Sequence, residues 1–119
     1  MFQRKTREVD MLREVIDQKM IQDITDKIIA HFQPKRIVLF GSQAGGGITS
    51  QSDVDLFIVM ESKLRRDHRA REISKLFSNR LFPLDIIVYT ADEVERSLKR
   101  GNPFVQEIMT RGKVLYAAA

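Results

Sequence analysis

Leu39-Phe40-Gly41-Ser42 and, ten residues later, Asp53-Val54-Asp55-Leu56 form the stretch on which the fold turns. Ile37 to Phe40 is a short apolar run that closes in Gly-Ser. Residues 41–52 read as a turn and loop with Gly45-Gly46-Gly47 at its middle, and residues 53–60 as a second strand. Val54, Leu56, Ile58 and Met60 form one apolar row of that strand, while Phe57 and Val59 continue the other row beyond Asp53 and Asp55. A strand apolar on both faces is a buried strand, so the two acids stand at its end and not in a solvated loop. Side chains alternate along a strand, so Asp53 and Asp55 point the same way. Two adjacent like charges repel unless something positive lies between them, and hard divalent cations such as Mg²⁺ take oxygen ligands. The pattern reads as a carboxylate platform for metal beside a Gly-Ser turn able to hold phosphate.

Outward from this centre the periodicities are clear. Val9, Leu12, Val15, Ile16, Met20, Ile24, Ile28 and Ile29 recur at helical steps, which predicts a helix over about 7–33 ended by Pro34. Ala70, Ile73, Leu76, Phe77 and Leu81 mark a second helix over about 66–81, broken by Pro83. Leu84 to Tyr89 is a third strand. Thr90-Ala91-Asp92-Glu93 matches a capping box that opens a helix, and Gly101 closes it. Asn102-Pro103 reads as an N-cap followed by proline at the first helical position. Gly112 stops this last helix before Val114-Leu115-Tyr116, an edge strand, and Ala117-Ala118-Ala119 reads as a frayed tail. The expected class is α+β, a small mixed sheet packed with helices in a single domain over 1–119, with a core from about 34 to 116.

Composition narrows the chemistry. The 119 residues are 43% hydrophobic and 30% charged, which excludes a disordered or fibrous chain. There is no cysteine, so disulfides, thiolate zinc sites and cysteine nucleophiles are excluded. No apolar run is long enough to cross a bilayer and the N-terminus has no signal-like apolar core, so a soluble cytoplasmic protein is expected, with no membrane contact. The net charge of +4 suits a phosphate-bearing substrate. No Walker A sequence is present. His31 and His68 lack a companion at metal-ligand spacing. Lys63, Arg65, Arg66, Arg69 and Arg71 read first as a solvated helix face and second as a docking patch for an acidic partner; weak aromatic interleaving argues against nucleic acid.

Apolar-Gly-Ser, about ten residues, then Asp-apolar-Asp-apolar resembles the signature of the DNA polymerase beta superfamily, and within it the minimal nucleotidyltransferases. The likeness runs from Pro34-Lys35-Arg36-Ile37-Val38-Leu39-Phe40-Gly41-Ser42 to Arg111-Gly112-Lys113-Val114-Leu115-Tyr116. It implies a polymerase-beta-like fold and a third carboxylate on the third strand, which is Asp85. A lone charge in Leu84-Asp85-Ile86-Ile87-Val88 is costly unless it is paired with a neighbouring arginine or bound to metal. By the resemblance, Asp53, Asp55 and Asp85 are the catalytic triad and would hold two Mg²⁺ ions, Asp85 beside the attacking hydroxyl, while Gly41 and Ser42 bind the nucleotide phosphates. One position departs from the family: Gly45 stands where its members often carry arginine, which removes a phosphate-gripping cation.

The resemblance implies transfer of a nucleoside monophosphate, AMP from ATP, to a hydroxyl. It further implies a protein partner with a HEPN domain, with this chain as the antitoxin of a toxin–antitoxin pair and a tyrosine of the toxin as acceptor. The small size of the chain leaves the acceptor surface to such a partner. The alternative is a binding module, weakly catalytic or inactive, that neutralises its partner by contact; Gly45 favours it and the intact triad opposes it. A homo-oligomer is compatible with either.

Overall fold

The computed structural model describes residues 17–41, 53–80 and 82–119. Helix α1 spans Gln18–Phe32, β1 Arg36–Phe40, β2 Val54–Val59, α2 Arg66–Ser74, β3 Leu84–Tyr89, α3 Ala91–Lys99, α4 Pro103–Arg111 and β4 Lys113–Ala117. The strands form one mixed sheet in the order β3-β2-β1-β4. β1 is antiparallel to β2 and to β4, and β2 is parallel to β3. A parallel pair requires a crossover, and α2 supplies it. The expected mixed α/β class and the expected strands, with β4 at an edge, are present.

β2 decides the layering. Val54, Leu56 and Ile58 are fully buried on one face, against Ile21, Ile24 and Ile28 of α1, Ile73 of α2 and Phe77. Phe57 and Val59 are buried on the other face, against Val94 of α3 and Val105 and Ile108 of α4. Helices on both faces therefore follow directly from a strand with two apolar rows.

Helix ends explain where the elements differ from the sequence reading. α1 begins at Gln18, where extended Asp17 caps it and its carboxylate accepts from the Met20 N–H at 2.8 Å. Residues 7–16 of the expected helix lie outside the described residues. The C-terminal end is set by Gln33, which adopts φ 50° ahead of Pro34. α2 stops at Ser74 and continues only as a 3₁₀ turn over Lys75–Phe77, short of the expected residue 81. Ser78 and Asn79 favour turns over helix, and the Arg80 guanidinium and N–H both donate to the Phe77 carbonyl. The Thr90–Glu93 capping box and the Asn102-Pro103 start of α4 form as expected. The tail is less frayed than expected: Ala117 pairs with Arg36, and Ala118 N–H donates to Lys35 O at 2.8 Å.

Gly112 ends α4 at an ordinary φ of −66°. Its glycine is required by space, since a Cβ there would overlap Ile108 O and a Val38 methyl. α4 therefore lies directly on β1.

Arg69 corrects the reading of the basic segment as a solvated face. It is only 8% exposed. Its Nε donates to Leu64 O at 2.7 Å, and Nη1 donates to Val88 O at 3.3 Å and to Glu93 Oε1 at 2.6 Å. Nη2 reaches Glu93 Oε2 at 3.4 Å. Arg66 stacks over the Tyr89 ring at 3.9 Å and lies 3.6 Å from Glu93. Arg65 and Arg71 remain exposed. Arg69 thus ties α2, β3 and the start of α3 together. Burial pushes the Glu93 carboxyl up, but hydrogen bonds from Arg69 and the Thr90 N–H and the charges of Arg69 and Arg66 outweigh it and hold it at about 2.

Arg69→Ala is expected to destabilise the fold by about 3 kcal/mol in denaturant titration, because it strands Glu93 and two carbonyls. The folded pKa of Glu93 lies below its ordinary 4.5, so the pair's contribution is complete above that value and is lost as pH falls toward about 2. The variant should show a flatter stability loss across that interval.

Candidate functional site

The antiparallel register of β1 and β2 sets Phe40 opposite Asp55, and the parallel register of β2 and β3 sets Asp55 beside Asp85. Cross-strand partners share a face, so Phe40, Asp55 and Asp85 form a row across three strands. The row lies on the face covered further along by α3 and α4. Asp53 precedes β2 by one residue and, two positions from Asp55, belongs to the same face.

Gly41 follows Phe40 with φ 76°, a conformation that glycine adopts without strain. A Cβ at this position would run into the Oδ2 of Asp55. The chain therefore crosses Asp55 at backbone distance, which a side chain would forbid.

Electrostatics separate the acids. Burial pushes the Asp55 carboxyl up, and a hydrogen bond with Asp85 and the charges of Asp85 and Asp53 push it further, to about 6. Among the described residues no lysine or arginine forms a salt bridge with Asp53, Asp55 or Asp85. The neighbouring-arginine partner considered for Asp85 is thus absent from this set. Asp53 and Asp85 are exposed, and Asp55 is half-buried.

The three acids are brought to one end of one face, but not equally. Asp55 and Asp85 are direct partners in the β2–β3 register, whereas Asp53 precedes β2 and influences Asp55 through its charge. Among the described residues no three His, Cys, Asp or Glu side chains are gathered into a cluster that could hold a metal ion. Ser42 and Gly45 lie outside the described residues. His31 and His68 are exposed and remote from the acids in sequence and in their contacts, His31 bonding to the Lys27 carbonyl and His68 lying near Asp67. No helix among the described residues is long and apolar enough to cross a membrane.

Comparison with known proteins places this geometry in context. The family model described as a nucleotidyltransferase domain matches residues 21–115. A protein of Methanocaldococcus jannaschii, named as a putative protein adenylyltransferase, is 30% identical over 111 aligned positions, which cover 85% of this chain and 75% of that protein. No solved structure matches significantly.

Two outcomes follow from the acids. With Asp55 at about 6 in the fold against an ordinary 3.8, the folded state binds the extra proton. Its favourable contribution is full below the ordinary value and is lost as pH rises through about 6. Thermal melts with chelator should therefore show Asp55→Asn gaining stability over the parent at about pH 8 and losing that advantage at about pH 4. Gly41→Ala should destabilise by more than about 1 kcal/mol, from the positive φ and the overlap with Asp55 together; Asp55→Ala in the same background should recover part of the loss in denaturant titration.

Proposed function

Because this chain belongs to the nucleotidyltransferase domain family, we propose that it transfers AMP from ATP to a hydroxyl on a protein partner, a tyrosine of a HEPN-domain toxin. Nucleotide transfer is the family's activity. The finer reading rests on one observation above all: Asp55 and Asp85 stand side by side at the end of β2 and β3, with Asp53 two residues before Asp55, and none of them forms a salt bridge among the described residues. Burial, and after it the neighbouring carboxylates, disfavours the charged form of Asp55, as its shift records. A bound cation would remove that penalty. The name of the Methanocaldococcus jannaschii relative agrees with a protein acceptor.

The donor set suits Mg²⁺, since Asp53, Asp55 and Asp85 offer only oxygen. When bound, the ion supplies charge neutralisation at the phosphates and a lowered pKa at the attacking hydroxyl. Asp53 and Asp55 hold the nucleotide end. Asp85 sits on β3, the edge strand, where an acceptor approaching from outside the sheet reaches it first. Its carboxylate takes the proton of the acceptor hydroxyl as that oxygen bonds to the α-phosphorus and pyrophosphate departs. Gly41 lets backbone N–H groups come close to the triphosphate, and Ser42 would add a hydroxyl. The remaining catalysis is alignment of acceptor oxygen and leaving group.

The test is incubation of the chain with its co-purified partner, ATP and Mg²⁺, followed by intact mass measurement. The partner should gain the mass of AMP. Asp85→Asn should slow that gain by about a hundredfold or more while retaining nucleotide binding. An unmodified partner that stays tightly bound and inhibited would overturn transfer in favour of neutralisation by contact.

A further inference from the structure

A cavity of about 360 Å³ opens beside Gly41 at the end of β1. Its walls are Phe40, Gly41, Phe104, Glu107, Ile108, Arg111 and Gly112. It is therefore framed by the residue opposite Asp55 in the β1–β2 register and by the turn that crosses Asp55. The nucleotide function places phosphates at Gly41 and the carboxylates. Nothing in that function accounts for an aromatic cavity on the α4 side of them.

Phe104 is the unexplained wall. It occupies the second position of α4, one residue after Pro103. Its ring is 44% exposed, in contrast to Val105 and Ile108, which α4 buries on the sheet. It meets Phe40 edge-on, with centroids 5.8 Å apart and planes at 90°. An edge-to-face contact engages only a rim of each ring, so a large part of Phe104 stays open to solvent. The backbone that carries the ring is held: Asn102 caps the helix by accepting from Phe104 N–H at 3.0 Å and Val105 N–H at 3.2 Å, and Pro103 fixes the first turn. One and two turns along, Glu107 and Arg111, an exposed ion pair 3.9 Å apart, bring an acceptor and a donor to the cavity wall. The volume lies at the lower end of that of ligand pockets and suits a planar bicyclic ring better than a large acceptor.

The geometry points to this cavity as the seat of the nucleotide's purine base, with Phe104 as its stacking platform. The inference rests on the nucleotidyltransferase reading of the carboxylates and assigns the other end of the same substrate. A ring stacked on Phe104 lies on the β1 side of the sheet, two strands from the edge strand β3, leaving Asp85 free for the acceptor. Purines present more stacking area than pyrimidines, so the platform favours ATP and GTP over CTP and UTP.

Calorimetry of the full chain separates the two ends of the substrate. The probes are ATP, CTP and inorganic tripolyphosphate, each with Mg²⁺. Wild type should bind ATP more tightly than CTP or tripolyphosphate. Phe104→Ala should weaken ATP on the order of tenfold and leave tripolyphosphate unchanged, and Phe104→Tyr should restore ATP binding. Stacking should also quench the fluorescence of etheno-ATP in wild type and in Phe104→Tyr, but not in Phe104→Ala. ATP affinity unaltered in a folded Phe104→Ala, or equal affinity of wild type for ATP and tripolyphosphate, would overturn the platform while leaving the carboxylate reading intact. Equal losses of ATP and tripolyphosphate in Phe104→Ala would also overturn it, since the ring would then act on the fold. Failure of wild type to bind any of the three would overturn the nucleotide site itself.

Discussion

Asp55 and Asp85 stand side by side on parallel strands, and the sheet must hold these like charges together. Nothing local favours the arrangement. Burial first, and then the neighbouring Asp85 and Asp53, raise Asp55 to about 6, so the folded state disfavours a second charge at this place. What enforces it is the rest of the register: Val54 against Leu84, Leu56 beside Ile86 and Ile58 beside Val88, all apolar partners. Slipping β3 by one residue would turn this apolar set to the wrong face. The hydrophobic effect along the strands thus outweighs the electrostatic penalty at their end and leaves a strained, anionic corner.

That corner needs β3 fixed from its outer side as well, because β3 is an edge strand. Arg69 provides the fixation. A single guanidinium bonds the carbonyl of Leu64 ahead of α2, the carbonyl of Val88 in β3 and the Glu93 carboxylate that caps α3. The capping box alone would hold the start of α3; the arginine couples that start to the crossover helix. The two ionic features are opposites. Glu93 is drawn well below its ordinary range by a cation, whereas Asp55 is driven above its range by burial and by the acids beside it. Within one small domain, the first pattern marks structural support, and the second marks carboxylates that no salt bridge among the described residues neutralises.

Much of this was legible in the chain. The two apolar rows of β2, the capping box at Thr90, the Asn102-Pro103 start and the stop at Gly112 are local signals with local causes, and each forms where it was read. The end of α2 was less legible. Helical periodicity continues as far as Leu81, but the turn-favouring Ser78-Asn79 pair overrides it. Arg69 was unreadable, because an arginine among neighbouring arginines looks like solvated surface until a partner twenty-four residues away arrives. Phe104 carries no local signal of its place: the packing of α4 on β1 leaves it largely outside the core.

The sequence by itself determined the elements and the chemistry they carry: two apolar strands separated by a Gly-Ser turn, an Asp-x-Asp pair pointing one way, and a third acid on a third strand. Alternation, capping and backbone stereochemistry act over a few residues, so they are written where they operate. Only the tertiary structure decided which of these groups meet. Parallel pairing set Asp55 beside Asp85 and left Asp53 to act at a distance. Antiparallel pairing set Phe40 and the Gly41 backbone against Asp55. Such neighbours are fixed by register, and register is chosen by burial summed over all the strands, a quantity that no short stretch of chain contains.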